Sequence, residues 1–222
     1  IVRGLAEAKR HGVEVPGGVI ERGVKWLKTR QKESLKYIIE HKNRPWANDV
    51  FTAYAILLAS DGKADETMKE MLRRAYDVRL DLPIYAQAIL GLAFDLTNEV
   101  EKRDTIVRNL KQYLKVDSEN ATAYLELGNH GYWWCWYGSD IEAQATALKL
   151  FLKVEPQSDA TRGLALYLYN NRISRKYWTS TRDTGLAIEA LAEYCRKVEK
   201  KKDKYVSAYL TYLTYEEPIK AA

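Results

Sequence analysis

The sequence lacks most of the patterns with which proteins bind metals, form disulfide scaffolds or cross membranes. It has two cysteines and three histidines in 222 residues, and neither residue type occurs at metal-ligand spacing. No run of about 18 apolar residues is present, so no segment predicts a transmembrane helix. The chain starts at Ile1 without an initiator methionine or a signal peptide, which predicts a piece of a longer protein. Cys135 and Cys195 are interpreted as small core residues.

Catalytic signatures are equally scarce. There is no Ser/His/Asp order, phosphate-binding loop or glycine-rich fingerprint, and no DxDD or DDxxD cluster of the kind that terpenoid cyclases use. No cofactor, metal or enzymatic activity is therefore expected of this chain. The net charge of +5 is modest, and much of it falls within residues 196–204, so no nucleic-acid partner is expected.

What the chain does contain is a repeated pattern. A tryptophan, a short polar loop and an aspartate precede a helix rich in Ala and Leu, beginning at Trp46, Trp136 and Trp178. The three aspartates are Asp49, Asp140 and Asp183. Their common place at a helix start predicts N-capping, with Thr181 as the alternative cap of the last copy. Internal repeats of this kind are typical of stacked helical architectures.

Helices that are apolar on most sides alternate with helices that carry one apolar stripe. The apolar segments, predicted to be buried, are 48–60, 83–96, 139–154 and 181–198. The striped segments are 19–31, extended by a second short helix at 33–42, then 65–77, 99–115 and 159–172. No strand is expected before residue 200, and 118–138 is interpreted as a long ordered loop. Alternating buried and striped helices predict an all-α fold, an α/α toroid that is incomplete at its N-terminal side.

The character of the sequence changes near residue 200, which predicts a domain boundary. Residues 1–200 form the toroid of this interpretation. Residues 201–222 are rich in Tyr, Thr and Val, which favours a linker with one or two strands toward a neighbouring β domain. The alternative is a final helix with Tyr205, Tyr209 and Tyr212 on one face.

Two motifs near the C-terminus carry a resemblance to a known family. DIEAQATALKLFLKVEP (140–156) and YWTSTRDTGLAIEALAEY (177–194) resemble the C-terminal part of the thioester-containing domain of the alpha-2-macroglobulin and complement family. The positions that carry the match are Asp140, Glu142, Trp178, Ser180, Thr181, Asp183 and Thr184. ERGVKWLKTRQ (21–31) and FTAYAILLAS (51–60) resemble earlier helices of that domain, and GYWWCWYGSDIE (131–142) is closest to its bacterial branch.

The resemblance implies a fragment of a protease-trapping, endopeptidase-inhibitor protein. Such proteins use a Cys–Gln thioester that acylates the target after proteolytic activation. The Cys-x-Glu-Gln motif is absent here, since Cys135 and Cys195 are followed by other residues. The resemblance therefore implies a scaffold part of the domain, proteases and neighbouring β domains as partners, and a periplasmic, cell-envelope or extracellular location.

Candidate functional residues are few. His41 is the candidate for the histidine that takes up the acyl group in some family members; the alternative is an ordinary surface histidine. A possible binding surface comprises His130, Tyr132, Trp133, Trp134 and Trp136. Glu142, Glu189 and Glu193 fall on helices predicted to be buried, and a buried carboxylate must be paired or protonated.

Two further interpretations stay open at this point. One is a non-catalytic binding module that uses the aromatic loop 130–138, which predicts exposed tryptophans. The other is a toroid enzyme acting on a polysaccharide or an isoprenoid, with its site at a rim formed by Asp49, Asp140 and Asp183 and the tryptophan loops. It predicts clustered carboxylates of perturbed pKa.

Overall fold

A computed structural model of the chain describes residues 1–127, 139–174 and 176–198. Within these residues the chain forms nine α-helices and one two-stranded sheet. The helices are α1 (Val2–Arg10), α2 (Val19–Glu40), α3 (Ala47–Ala59), α4 (Glu66–Asp77), α5 (Ile84–Leu96), α6 (Val100–Lys111), α7 (Asp140–Val154), α8 (Asp159–Asn170) and α9 (Thr181–Lys197). The strands are β1 (Leu114–Asp117) and β2 (Thr122–Leu125). None of the described helices combines the length and the apolarity that crossing a bilayer requires.

The chain divides into an N-terminal unit, Ile1–Leu110, and a C-terminal unit, Lys111–Ala222. In the N-terminal unit α3 and α5 form the core. Ten of the thirteen residues of α5 are buried, and eight of the thirteen of α3. α1, α2 and α4 pack against α3 and bury only one stripe each, as helices with one solvent-exposed face do.

In the C-terminal unit α7 is the central helix. Twelve of its fifteen residues are buried, and it packs against α8 and α9. The predictions of buried helices at 48–60, 83–96 and 139–154 are therefore confirmed, because a helix that is apolar on most sides has to be covered on most sides.

The hairpin β1–β2 corrects the prediction that no strand precedes residue 200. α6 ends at Lys111, and antiparallel strands pair Leu114 with Leu125 and Asp117 with Thr122. The turn is closed by the Asp117 carboxylate, which accepts hydrogen bonds from the backbone amides of residues 119 and 120. Each strand has four residues, which is too short for the alternation of polar and apolar residues to stand out. A turn-forming aspartate was the signal available in the sequence.

Two helices also differ from prediction. α2 is one continuous helix, so the extension predicted at 33–42 is present but does not form a second helix. The buried positions Gln31, Leu35 and Ile38 continue the same stripe. α9 was predicted to be buried on most sides, yet few of its side chains are. The buried residues of α9 are Asp183, Ala187, Ala190 and Leu191. Six of the seventeen residues of α9 are charged, so less of its surface requires cover than the apolar run suggested.

The segment 201–222, predicted as a linker with possible strands, lies outside the described residues, as do Cys135 and the aromatic surface at 130–138. These predictions and the domain boundary at residue 200 stay predictions.

Candidate functional site

The helix starts of α7 and α9 lie side by side, and the side chain that joins them is Asp183. Ser139 precedes α7, and its hydroxyl donates to Asp183 Oδ1. The Ser180 hydroxyl donates to Asp183 Oδ2 at 2.9 Å. The Asp183 residue is only 4% exposed, so the carboxylate exchanges water for two hydroxyl donors, as a buried charge requires.

The N-caps of these helices are serines, which corrects the assignment of that role to the aspartates. Ser139 accepts a hydrogen bond from the amide of Glu142, and Ser180 accepts one from the amide of Asp183. Asp183 occupies the third position of α9 and Asp140 the first of α7. Serine caps a helix as well as aspartate does. Because Ser180 is the cap of α9, the Asp183 carboxylate can accept a hydrogen bond from Ser139 at the start of α7.

Trp178 anchors the turn that leads into α9. Its residue is 1% exposed, and its indole Nε1 donates to the backbone oxygen of Leu168 on α8 at 3.0 Å. Its backbone amide donates to the Thr184 hydroxyl at 3.0 Å. One side chain thus ties the entry of α9 to α8, and Thr184 fixes the path of the turn.

Asp140 and Gln144 connect α7 to the hairpin and to α8. The Gln144 side chain is buried, and both its oxygen and its nitrogen bond to the backbone of Leu125 at 2.8 Å. Asp140 accepts from Gln144 at 3.0 Å and from the Tyr167 hydroxyl at 2.9 Å. Burial and the Asp140 carboxylate raise the pKa of Tyr167 above its ordinary value, so this tyrosine is a hydrogen-bond donor at neutral pH.

Three ion pairs run along the contact between α7 and α9, and we call them the α7–α9 ladder. They are Glu142–Arg182 at 2.5 Å, Lys149–Glu189, and Lys153–Glu193 at 3.5 Å. Each pair joins positions 40 residues apart, so the two helices run parallel and in one register. The Glu142 side chain is 4% exposed and that of Lys149 is 9% exposed. The three glutamates predicted to need partners on these helices are therefore paired.

Glu193 makes the ladder sensitive to acid. Burial raises the pKa of its carboxyl, but the ammonium groups of Lys153, Lys197 and Lys149 lower it by more, so the pKa of Glu193 lies below the ordinary value of a glutamate. A carboxyl whose pKa is lowered on folding stabilises the protein above its unfolded pKa. That contribution is lost as the pH falls through the folded pKa.

We expect the free energy of unfolding to fall on acidification below about pH 5, and the variant Glu193→Gln to show a shallower fall. Urea unfolding at pH 7 and at pH 4 measures both. The Gln variant should be less stable than the native chain at pH 7, with the difference shrinking at pH 4. A difference that is the same at both pH values would contradict the assigned direction of the pKa.

The N-terminal unit contains a related arrangement at the start of α3. Asp49 accepts from the Ser34 hydroxyl on α2 at 2.5 Å and from the Trp46 amide at 2.8 Å. As with Asp183, an aspartate at the third helical position accepts from a serine of another element. The repeated aspartates are thus structural side chains at helix entries, not caps in the strict sense.

His41 lies at the C-terminal end of α2. Its ring stacks on Tyr37 with centroids 4.2 Å apart, and its Nδ1 is 3.0 Å from the Tyr37 carbonyl oxygen. The side chain is exposed. His41 as an acyl acceptor stays a prediction. Within residues 1–127, 139–174 and 176–198, no three His, Cys, Asp or Glu side chains are grouped as metal ligands.

Six of the seven motif positions take part in the contacts at the helix starts. Asp140, Glu142, Trp178, Ser180, Asp183 and Thr184 are these six; Thr181 is exposed at the first turn of α9. Sequence analysis missed Ser139, Gln144 and Arg182, which complete the network. The constant 40-residue spacing between oppositely charged residues was the signal for the ladder. Chemically, the arrangement fixes two helix starts relative to each other.

We expect Asp183→Ala to lower the free energy of unfolding by about 2 kcal/mol, because two hydrogen bonds to a charged group are lost. Chemical denaturation measures this loss. The matched control is Asp159→Ala, an exposed aspartate in the first turn of α8, which should cost less than about 1 kcal/mol through the helix dipole alone. Equal losses in the two variants would show that Asp183 acts only as a first-turn charge.

A family model described as the A-macroglobulin TED domain, the thioester-containing domain, matches residues 1–194. No curated protein matches the chain. The domain described by that model is an all-α toroid, so the predicted family and fold class are confirmed, while the hairpin is an addition to the helical scheme.

Proposed function

The chain belongs to the A-macroglobulin TED domain family, and we propose that it is the scaffold part of the thioester domain in a protease-trapping protein of the alpha-2-macroglobulin type. In this role the chain holds helices in a fixed arrangement and performs no catalysis itself. The family places such a domain in a multidomain parent. The covalent step, acylation of an attacking protease, belongs to a thioester elsewhere in that parent.

The network at the starts of α7 and α9 is the observation that supports this role. It includes six of the family-motif residues, and each of its carboxylates holds a serine, a tyrosine or a cation. An arrangement of this kind stabilises geometry, because every member restricts another. A protected thioester needs such a rigid surrounding, since water has to be excluded until activation.

The sequence around the two cysteines supports a thioester that lies outside this chain, in another part of the parent protein. Cys135 is followed by Trp, Tyr and Gly, and Cys195 by Arg, Lys and Val. Neither has the Glu-Gln that the thioester motif requires. We infer that the motif is supplied by another segment of the parent, and that the target of acylation is a protease nucleophile or a nearby lysine.

A secreted or extracellular location is typical of the family. We propose that the parent of this chain is a bacterial protein located in the periplasm or the cell envelope. The proposed partners are proteases and the β domains that neighbour the TED domain in the same protein.

The test is the intact mass of the full-length parent before and after treatment with methylamine. Methylamine opens a thioester and remains attached to the Gln-derived carbonyl, while a cysteine thiol is released. We expect one methylamine per parent molecule and one new thiol. The 222-residue chain, treated in parallel, should take up none.

Absence of uptake by the parent would overturn the thioester part of the proposal. Uptake by the 222-residue chain itself would overturn the assignment of a scaffold role to it. Blocking thiols with iodoacetamide before the treatment distinguishes a thioester from a free cysteine, because only a thioester releases a thiol afterwards.

A further inference from the structure

The exposed side of α2 carries a stripe of cations at helical spacing. Arg22, Lys25, Lys32 and Lys36, with Thr29 between them, are separated by three, four, three and four residues and are all exposed. Residues spaced in this way share one face of a helix. Over these fifteen positions the stripe is about 21 Å long at a rise of about 1.5 Å per residue. We call it the basic stripe.

A groove of about 560 Å³ runs beside the basic stripe. Lys25, Thr29 and Lys32 form part of its lining, and Ile20, Val24 and Met68 contribute an apolar floor. Glu21 and the Lys28–Asp65 pair also line the groove. Ile20 and Met68 are buried beneath it, so the groove combines an apolar base with an edge on which cations outnumber carboxylates. A volume of this size accommodates several side chains of a peptide.

Most other charges on α2 are already paired. Arg30 pairs with Glu33 at 2.7 Å and Lys28 with Asp65 at 2.9 Å. Within the basic stripe itself, Lys36 pairs with Glu40 at 3.7 Å. Among the described residues, no carboxylate lies within ion-pair distance of Arg22, Lys25 or Lys32. Three cations on one helix edge thus remain available to an external anion.

We propose that the basic stripe and the groove of α2 bind an acidic amphipathic helix of a partner protein. Carboxylates spaced by three and four residues on such a helix face the basic stripe, and its leucine-type side chains enter the groove. The binding mode is a helix in a groove, in which apolar anchors provide affinity. The charges speed association and select the partner.

The apolar floor favours this occupant over other polyanions. A nucleic acid has regularly spaced phosphates and offers no apolar side chain to contact Val24, which is the floor residue that is not buried. A lipid surface is flat on this scale and does not enter a recess. The surface belongs to the N-terminal unit and does not depend on the thioester, so this proposal and the proposed function succeed or fail separately.

The probe is a synthetic 18-residue helix with Glu at four positions matching the basic stripe and Leu on the adjoining face. Its binding to the full chain is measured by fluorescence anisotropy. The variant Lys25→Glu/Lys32→Glu should weaken binding at least about tenfold, which corresponds to about 1.4 kcal/mol. The control Lys63→Glu/Arg108→Glu changes net charge equally at exposed positions of the same unit and should leave binding within about twofold.

A second peptide with Gln in place of each Glu should bind at least about tenfold more weakly to the native chain. Thermal unfolding checks that both double variants remain folded. No saturable binding to the native chain, an equal loss in the control variant, or tighter binding of duplex RNA or of anionic phosphatidylglycerol vesicles would each overturn the proposal.

Discussion

Lys149→Glu is expected to destabilise the C-terminal unit by at least about 3 kcal/mol. The Lys149 side chain is 9% exposed and pairs with Glu189 on the parallel helix α9. The substitution replaces the attraction between Lys149 and Glu189 by a repulsion between two carboxylates, at a site where water screens charges weakly. Desolvation of the new carboxylate adds a further cost. Urea unfolding followed by circular dichroism measures the loss.

The exchange Lys149→Glu/Glu189→Lys separates the ion pair from other effects of the substitution. With the charges swapped the pair forms again, so we expect the double variant to regain at least about 1 kcal/mol relative to the sum of the single losses. A double variant whose loss equals that sum would contradict a direct interaction at this step of the α7–α9 ladder. The exposed pair Lys69–Glu66 on α4 serves as a matched control, and its reversal should change stability by less than about 1 kcal/mol.

Trp178→Ala should lower the free energy of unfolding by about 3–5 kcal/mol, the usual loss when a large buried aromatic residue is truncated. The indole is buried between the entry of α9 and α8, and its Nε1 bonds to Leu168. Removal leaves a cavity and an acceptor without its donor. Chemical denaturation measures the change.

Two variants test the reason for that loss. Trp178→Phe keeps an aromatic ring but removes the donor, so it should cost less than the alanine variant by at least about 1 kcal/mol. Trp26→Ala removes a tryptophan that is 59% exposed on α2 and should change stability by about 0.5 kcal/mol or less. Equal losses for Trp178→Ala and Trp26→Ala would contradict a buried anchor at Trp178.

The helical architecture could be predicted because the pattern of apolar residues in a helix indicates how much of that helix is buried. α3 and α5 consist mostly of apolar residues, and so do nine of the fifteen positions of α7; these are the helices covered on most sides. α9 was predicted to be buried in the same way, but only four of its seventeen residues are buried. Six of its seventeen residues are charged, so less of its surface requires burial.

The details of the site could be predicted only in part. A capping aspartate and a capping serine look alike in a sequence, since both accept from the same amides. The roles of Ser139 and Ser180 therefore emerged only from their positions. The partner of a buried carboxylate is set by which helices become neighbours, so Arg182 could be assigned to Glu142 only once α7 and α9 were known to be parallel.

The hairpin β1–β2 was missed for a different reason. Its strands have four residues each, and a pattern with a period of two cannot be recognised over so few positions. The contact that places it is a buried glutamine, Gln144, which pairs with the backbone of Leu125. A single contact between residues 19 positions apart produces no periodic pattern in the sequence.

The most direct test of a scaffold role in covalent protease trapping is an electrophoresis experiment on the full-length parent. The parent is incubated with trypsin, denatured in detergent and reductant, and probed for trypsin. We predict a band containing both proteins that survives denaturation, and its loss when the parent is first treated with methylamine. Trypsin that migrates alone under both conditions would contradict covalent capture, and with it the function proposed for the domain to which this chain belongs.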